Sequence, residues 1–194
     1  MYILTAGLWE KFFDFRLVPV VLYVGLFSAG GFVLAHSKKW LLFYIPLTVF
    51  GIALRFISEG FWLQALSIVL LTFSHILLFR QIFTHIVKPT TLLGDRLLSG
   101  VVGYLLLGMF WALQLQWPLL EAADAIRFTG NGGSVADYEL LYYSFVTLTT
   151  LGFGDITPMT WLAKAISIFT SLSGVLYLAI FVAAIVASAD FRRE

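Results

Sequence analysis

The chain contains no cysteine and little charge. The first absence removes disulfides, thiolate chemistry and thiolate metal sites, and leaves the redox compartment unreadable. The second says more. Only 12% of the 194 residues are charged and the formal net charge is +1, so no strong field steers the molecule toward nucleic acid. Gly-x-Ser-x-Gly, His-Glu-x-x-His and the phosphate-binding loop are also missing, and no catalytic constellation presents itself. The opening "MYILTAGLWEKFFDF" has neither the basic leader nor the small-residue cleavage site of a secretory signal, and is not read as one.

What is present is apolar: 60% of residues are hydrophobic and 17% aromatic, where about 45–50% apolar is normal for soluble domains. A membrane-crossing helix needs roughly 20 mostly apolar residues. Five stretches approach this: Leu17–Ala35, Trp40–Ser58 with Pro46 as a possible kink, Phe61–Phe79, Leu97–Trp117 and Trp161–Ala189. In Met1–Phe15, Leu4, Leu8 and Phe12 fall four apart with Glu10, Lys11 and Asp14 elsewhere, a pattern that suits a helix lying in the membrane interface.

One long gap, the 43 residues Pro118 to Thr160, separates the last two stretches. It opens with "EAADAIRFTGNGGS", whose Gly130–Gly133 run suggests a mobile tip. "SVADYELLYYSFVTLTT" then reads as a short helix, with Ser134 and Asp137 as a capping box or Asp137 as the cap itself. At about 12–15 residues such a helix cannot cross a bilayer. It must enter and stop, and the segment "TLTTLGFGD" (Thr147–Asp155) must lead back out. Non-helical backbone at that depth is tolerated only when it is buried in protein or lines a watery path.

A dehydrated cation needs several oxygens in place of its water. Consecutive backbone carbonyls supply them if all face one axis, which an ordinary strand does not allow. Glycine at every second position, Gly152 and Gly154, tolerates the positive φ such a ribbon requires. Thr150 adds a hydroxyl, and the preceding helix directs its partly negative C-terminus at the space below. One chain supplies one ribbon, so several chains must surround the axis.

Residues 138–158, "YELLYYSFVTLTTLGFGDITP", resemble the pore loop of potassium channels, whose pattern is Thr-x-x-Thr-x-Gly-Tyr/Phe-Gly-Asp. Thr147, Thr150, Gly152, Phe153, Gly154 and Asp155 match it in order, with Pro158 following. Lys164 stands where the family often has a basic residue, and Gly174 at the family's inner-helix hinge position. The resemblance covers roughly residues 97–189. It implies potassium ions held by carbonyls of Thr150, Leu151, Gly152 and Phe153 and by the Thr150 hydroxyl, with Gly154 completing the filter and Thr147, Asp155, Tyr142, Tyr143 and Val146 supporting it. Four chains would contribute one ribbon each. Four positions depart from the commoner pattern. Phe153 lacks the frequent tyrosine hydroxyl, Tyr142 and Tyr143 replace paired tryptophans, and Val146 replaces a glutamate that elsewhere pairs with the aspartate. Asp155 therefore needs another partner or faces water.

A filter facing outward puts the N-terminus, Glu59 and the 118–160 gap outside. The 36–39 turn, the 80–96 segment and the C-terminus lie inside. Seven basic residues then fall inside (Lys38, Lys39, Arg80, Lys88, Arg96, Arg192, Arg193) and five outside, a weak positive-inside bias. Eight of eleven acidic residues lie outside, where Glu121, Asp124, Asp137, Glu139 and Asp155 either concentrate cations at the entrance or simply solubilise the loop. Arg80, His85 and Lys88 make a poor voltage-sensing ladder and read as interfacial anchors. Val175, Leu178, Val182 and Val186 share one face of the last helix, where they line the cavity, close it by dewetting, or pack. Gly174 serves bending or close packing, and Gly108 with Ala112 fits a small-xxx-small contact. Arg55 and Glu59, four apart, suit a local ion pair. His36, His75 and His85 read as interfacial or hydrogen-bonded residues rather than haem ligands.

The sequence thus predicts an all-α integral membrane protein with about five transmembrane helices, a re-entrant pore helix and a selectivity-filter loop, assembled as a homotetramer. Residues 1–95 would form an N-terminal membrane domain, with room to meet a regulatory partner, and residues 96–194 the pore domain. The expected function is passive potassium conduction across the plasma membrane, with no cofactor besides the transported K+. The rival readings are a poorly selective cation channel and a non-conducting membrane subunit that binds a partner.

Overall fold

A computed structural model describes residues 38–57, 60–87, 93–129 and 137–190. The interfacial helix expected at 1–15 and the span expected at Leu17–Ala35 lie outside the described residues, as do His36, Glu59, Lys88, the Gly130–Gly133 tip, Ser134, Arg192 and Arg193. In chain order the elements are α1 (Lys38–Ile57), α2 (Phe61–Val87), α3 (Leu93–Gln114), α4 (Gln116–Glu121), β1 (Ile126–Phe128), α5 (Asp137–Leu148), β2 (Ile156–Pro158) and α6 (Trp161–Asp190).

The chain is a multi-pass, all-α membrane protein. Three described helices are long and apolar enough to cross a bilayer, over Phe61–Thr84, Leu93–Glu121 and Trp161–Val186. In α1 the apolar stretch Tyr44–Arg55 is shorter, and the helix continues through Pro46. The span that starts with α3 runs past the expected end at Trp117, because a turn at Leu115 leads into α4. Pro118 sits in the first turn of α4, where a missing N–H leaves no bond unmade. The polar loop accordingly starts at Ala122.

Packing of α1 and α2 onto α3 builds one core from Tyr44, Leu78, Ile82, Ile86, Val102 and Leu106. Nearer the other end Ile68, Leu71 and Leu113 form a second. Polar bonds between helices accompany them: Ser67 Oγ donates to the Gly51 carbonyl at 2.8 Å, and Gln114 Nε2 donates to Thr72 Oγ1 at 2.8 Å. In lipid, where apolar burial alone gives helices little reason to associate, such bonds and close packing hold the bundle. His75 is fully buried, with Nδ1 2.8 Å from the Leu71 carbonyl of its own helix. Arg55 donates to Gln116 Oε1, which ties α1 to α4.

A third cluster lies beneath the loop region: Leu115, Ile126, Leu140, Tyr143, Ile156, Ala163 and Ile166. It includes an element the sequence reading did not anticipate. β1 pairs antiparallel with β2, in the register Ile126↔Pro158, Arg127↔Thr157 and Phe128↔Ile156. Three-residue strands carry too little pattern to be told from loop.

Gly108 is where α3 lets α5 approach. A Cβ there would stand 2.5 Å from the Phe145 ring, and Ser144 Oγ donates to the Gly108 carbonyl at 2.6 Å. Gly94, near the start of the same helix, has open space around it. We expect Gly108→Ala to cost about 1–3 kcal/mol through overpacking, and Gly94→Ala to be neutral or slightly stabilising. Thermal unfolding of the detergent-solubilised protein separates the two outcomes.

Candidate functional site: a backbone ribbon on a short helix

The site is set by α5. Its 12 residues, at 1.5 Å each, reach only about 18 Å, and so end inside the bundle rather than across it. The helix is wedged between α3 and α6. Tyr143 Oη lies 2.8 Å from Ser167 Oγ, and Leu140 and Leu148 are buried. On α6 the buried positions Ala163, Ile166, Thr170 and Gly174 recur at helical spacing and face this side. A Cβ on Gly174 would overlap the Leu148 carbonyl, so the end of α5 rests directly on the backbone of α6. One residue away, Ser173 Oγ accepts from Trp111 Nε1 of α3 at 2.7 Å.

Beyond Leu148 the chain turns without leaving the helix behind. The Thr150 amide donates to the Thr147 carbonyl at 3.0 Å. The Leu151 and Gly152 amides both donate to the Val146 carbonyl, at 2.9 and 3.3 Å. Three successive amides therefore face the C-terminal turn of α5. Left-handed residues alternate with ordinary ones: Thr150 has φ 62°, Gly152 57° and Gly154 80°. Such alternation defeats the strand's habit of turning successive carbonyls to opposite sides. No backbone amide of the described residues donates to the carbonyls from Thr150 to Phe153. Thr150, Leu151, Gly152, Phe153 and Gly154 are all exposed in the single chain, Leu151 at 61% and Phe153 at 65%.

The two glycines were foreseen as left-handed and Thr150 was not. A β-branched residue at positive φ carries strain of order 1–3 kcal/mol, and such strain collects at functional sites.

The far end of the ribbon is held separately. The Asp155 carbonyl accepts from the Thr129 amide at 2.7 Å and from Thr129 Oγ1 at 2.8 Å, extending the β1–β2 pairing. The Asp155 carboxylate accepts from the Ile156 amide through Oδ1 at 3.0 Å and from the Tyr142 hydroxyl through Oδ2 at 2.7 Å. Tyr142 is thus the partner that Val146 cannot be. Val146 is buried, and acts through its carbonyl. The hydrogen bond to Asp155 raises the Tyr142 phenol above its ordinary value, with desolvation and the carboxylate charge adding to it. Thr147 contributes its carbonyl to the turn, and Glu121 at the end of α4 and Asp124 in the loop before β1 are exposed.

Below the ribbon, Val175, Leu178, Val182 and Val186 are all exposed on α6. Only 11% of the α6 span is buried in the single chain, against 50% for the span Leu93–Glu121, so α6 presents most of its surface to something other than its own chain.

Residues 97–189 match the model of a family described as an ion channel. Over 83 residues the chain is 33% identical to the A-type voltage-gated potassium channel KCND3 of Rattus norvegicus, and to the same channel of Homo sapiens and of Mus musculus. The match takes in 41% of this chain, which spans 13% of the relatives' length. No solved structure gives a significant match. The matched stretch runs from within α3 almost to the end of α6 and takes in α5 and the ribbon, so this part of the chain is similar to an ion-channel domain.

The Tyr142–Asp155 pair makes a direct prediction. Tyr142→Phe and Asp155→Asn each speed hydrogen exchange at the Ile156 amide, and the double variant exchanges no faster than the quicker single one, as for two members of one contact. The phenol must keep its proton to donate. The contact is therefore intact at neutral pH and lost as pH climbs through the raised phenol value, and exchange at Ile156 rises over that alkaline range.

Proposed function

We propose that four copies of this chain surround one axis and conduct potassium ions passively through rings of main-chain carbonyls. The observation that carries this reading is the sidedness of the ribbon. The amides of Thr150, Leu151 and Gly152 point back to α5, and the carbonyls of Thr150 to Phe153 are left with no backbone donor, on an exposed edge. Unmet carbonyls on lipid would cost several kcal/mol each. Around an axis shared by four chains the same carbonyls replace the water of a bare cation. The Thr150 hydroxyl completes the inner end, Gly154 closes the outer end, and Asp155 with Tyr142 braces it. The C-terminal end of α5 favours a cation below the ribbon.

The bare faces of α6 suit this assembly: one meets neighbouring copies and the other, through Val175, Leu178, Val182 and Val186, lines the cavity. Residues 1–95 form a membrane domain around the pore, the filter faces outward, and the plasma membrane is the proposed location. Voltage gating does not pass to this chain from the name of its relatives. The described part of α2 carries a single arginine, Arg80, where a sensor needs several at three-residue spacing.

The test is ion flux from liposomes holding the purified protein. Potassium passes and sodium does not. Gly152→Ala, which forces a side chain onto a φ of 57° at a cost of about 1–2 kcal/mol per chain, abolishes the flux while the protein still assembles. Equal flux of the two ions identifies an unselective cation channel. No flux from assembled wild-type protein identifies a subunit that serves a partner.

A further inference from the structure

The two halves of the ribbon are held in different ways. The amides of Thr150, Leu151 and Gly152 all end on carbonyls of α5. Among the described residues, no backbone carbonyl takes the amide of Phe153, Gly154 or Asp155. Packing does not hold this outer half either. Gly154 has φ 80°, and a Cβ built on it would meet nothing within 4 Å. A left-handed glycine in open space has soft dihedrals, so the peptide after it turns freely unless the chain beyond is fixed.

Thr129 fixes it. Its amide donates to the Asp155 carbonyl at 2.7 Å, and its hydroxyl donates to the same oxygen at 2.8 Å. The carbonyls from Thr150 to Phe153 have no backbone donor among the described residues, whereas that of Asp155 receives two bonds from one residue. The run of unclaimed oxygens therefore stops at Gly154. Two acceptors lie within reach of the Thr129 hydroxyl, Asp155 at 2.8 Å and the Gly154 carbonyl at 3.5 Å. One O–H serves one acceptor well, and the shorter contact takes it. The Gly154 oxygen is left for an ion. Thr129 is itself firmly placed, although 26 positions separate it from Asp155. Ala125 and Ile126 are buried, the Ala125 carbonyl accepts from the Met159 amide at 2.8 Å, and Phe128 pairs with Ile156.

We propose that Thr129 is a positioning residue of the filter. Through its hydroxyl it holds the Asp155 carbonyl aside, and so sets the outermost ring of oxygens, that of Gly154, at the spacing that favours potassium. The inference rests on the carbonyl-ring reading above and adds to it a residue from outside the loop motif. Without the hydroxyl, Asp155 keeps one bond of the two and the peptide after Gly154 swings more widely. Oxygens that move close on a smaller ion as well as on potassium.

The test compares Thr129→Val and Thr129→Ser with the wild type in liposomes. Valine keeps the shape and strand preference of threonine, and position 129 is exposed, so assembly is unaffected. The ratio of potassium to sodium flux and the potassium concentration at half-maximal flux are read together. One hydrogen bond of ordinary net worth corresponds to about fivefold in an equilibrium. The expected result is a flux ratio about fivefold lower in Thr129→Val, half-saturation at about fivefold more potassium, and wild-type values of both in Thr129→Ser. Wild-type values in Thr129→Val overturn the proposal. So does an equal loss in the valine and serine variants, which makes bulk rather than the hydroxyl the cause. Either of these results beside a selective wild type leaves the conduction reading standing. A wild type that passes both ions equally, or neither, overturns the two together.

Discussion

Everything at the site follows from which side of the backbone the amides take. A peptide ribbon has donors and acceptors in equal number, and burying it in a membrane requires a home for both. Here the helix end solves half of the problem. Carbonyls in the last turn of an α-helix have no partner within the helix, and two of them, from Val146 and Thr147, take the amides of Thr150, Leu151 and Gly152. The opposite edge is then composed of oxygen alone. Left-handed φ values at 150, 152 and 154 keep it so, and the strain at Thr150 is a cost the arrangement carries.

The rest of the bundle from α3 to α6 keeps that ribbon from relaxing. At one end Leu148 is pressed onto the backbone at Gly174, and Ser144 is tied to Gly108. At the other, Asp155 is held through its carbonyl by Thr129 and through its carboxylate by Tyr142. The two ends are braced by different parts of the chain, α6 and α3 for one and the β1–β2 ribbon for the other. A strained segment persists only when its surroundings over-determine it, and these contacts supply that condition.

Much of this was readable in the amino-acid order, and the reason differs element by element. The spans show because lipid imposes length and apolarity together. The short helix shows because "YELLYYSFV" is too brief to cross. Gly152 and Gly154 show because positive φ selects glycine. Thr150 gives no such sign, since its conformation is imposed by neighbours against its own preference. The strands at 126–128 and 156–158 are too short for alternation to register, and their pairing depends on residues thirty apart. The Asp155 partner was hidden because the usual acidic position is Val146. The hydroxyl of Tyr142, one turn earlier on α5, reaches the carboxylate instead. Gly108 was legible as a small residue, but only the packing shows that Phe145 is what it admits.

The contact between Gly174 and Leu148 also divides α6 mechanically. Above it the helix is pinned by Tyr143–Ser167 and Trp111–Ser173 and cannot swing without dragging the carbonyl ribbon along. Below it lie the sixteen residues from Val175 to Asp190, about 24 Å of helix. That length is tied to α3 in its turn, where the Tyr177 hydroxyl donates to the Gly100 carbonyl and the Phe181 ring occupies the space over Gly100, so α6 is moored to α3 on both sides of the glycine contact.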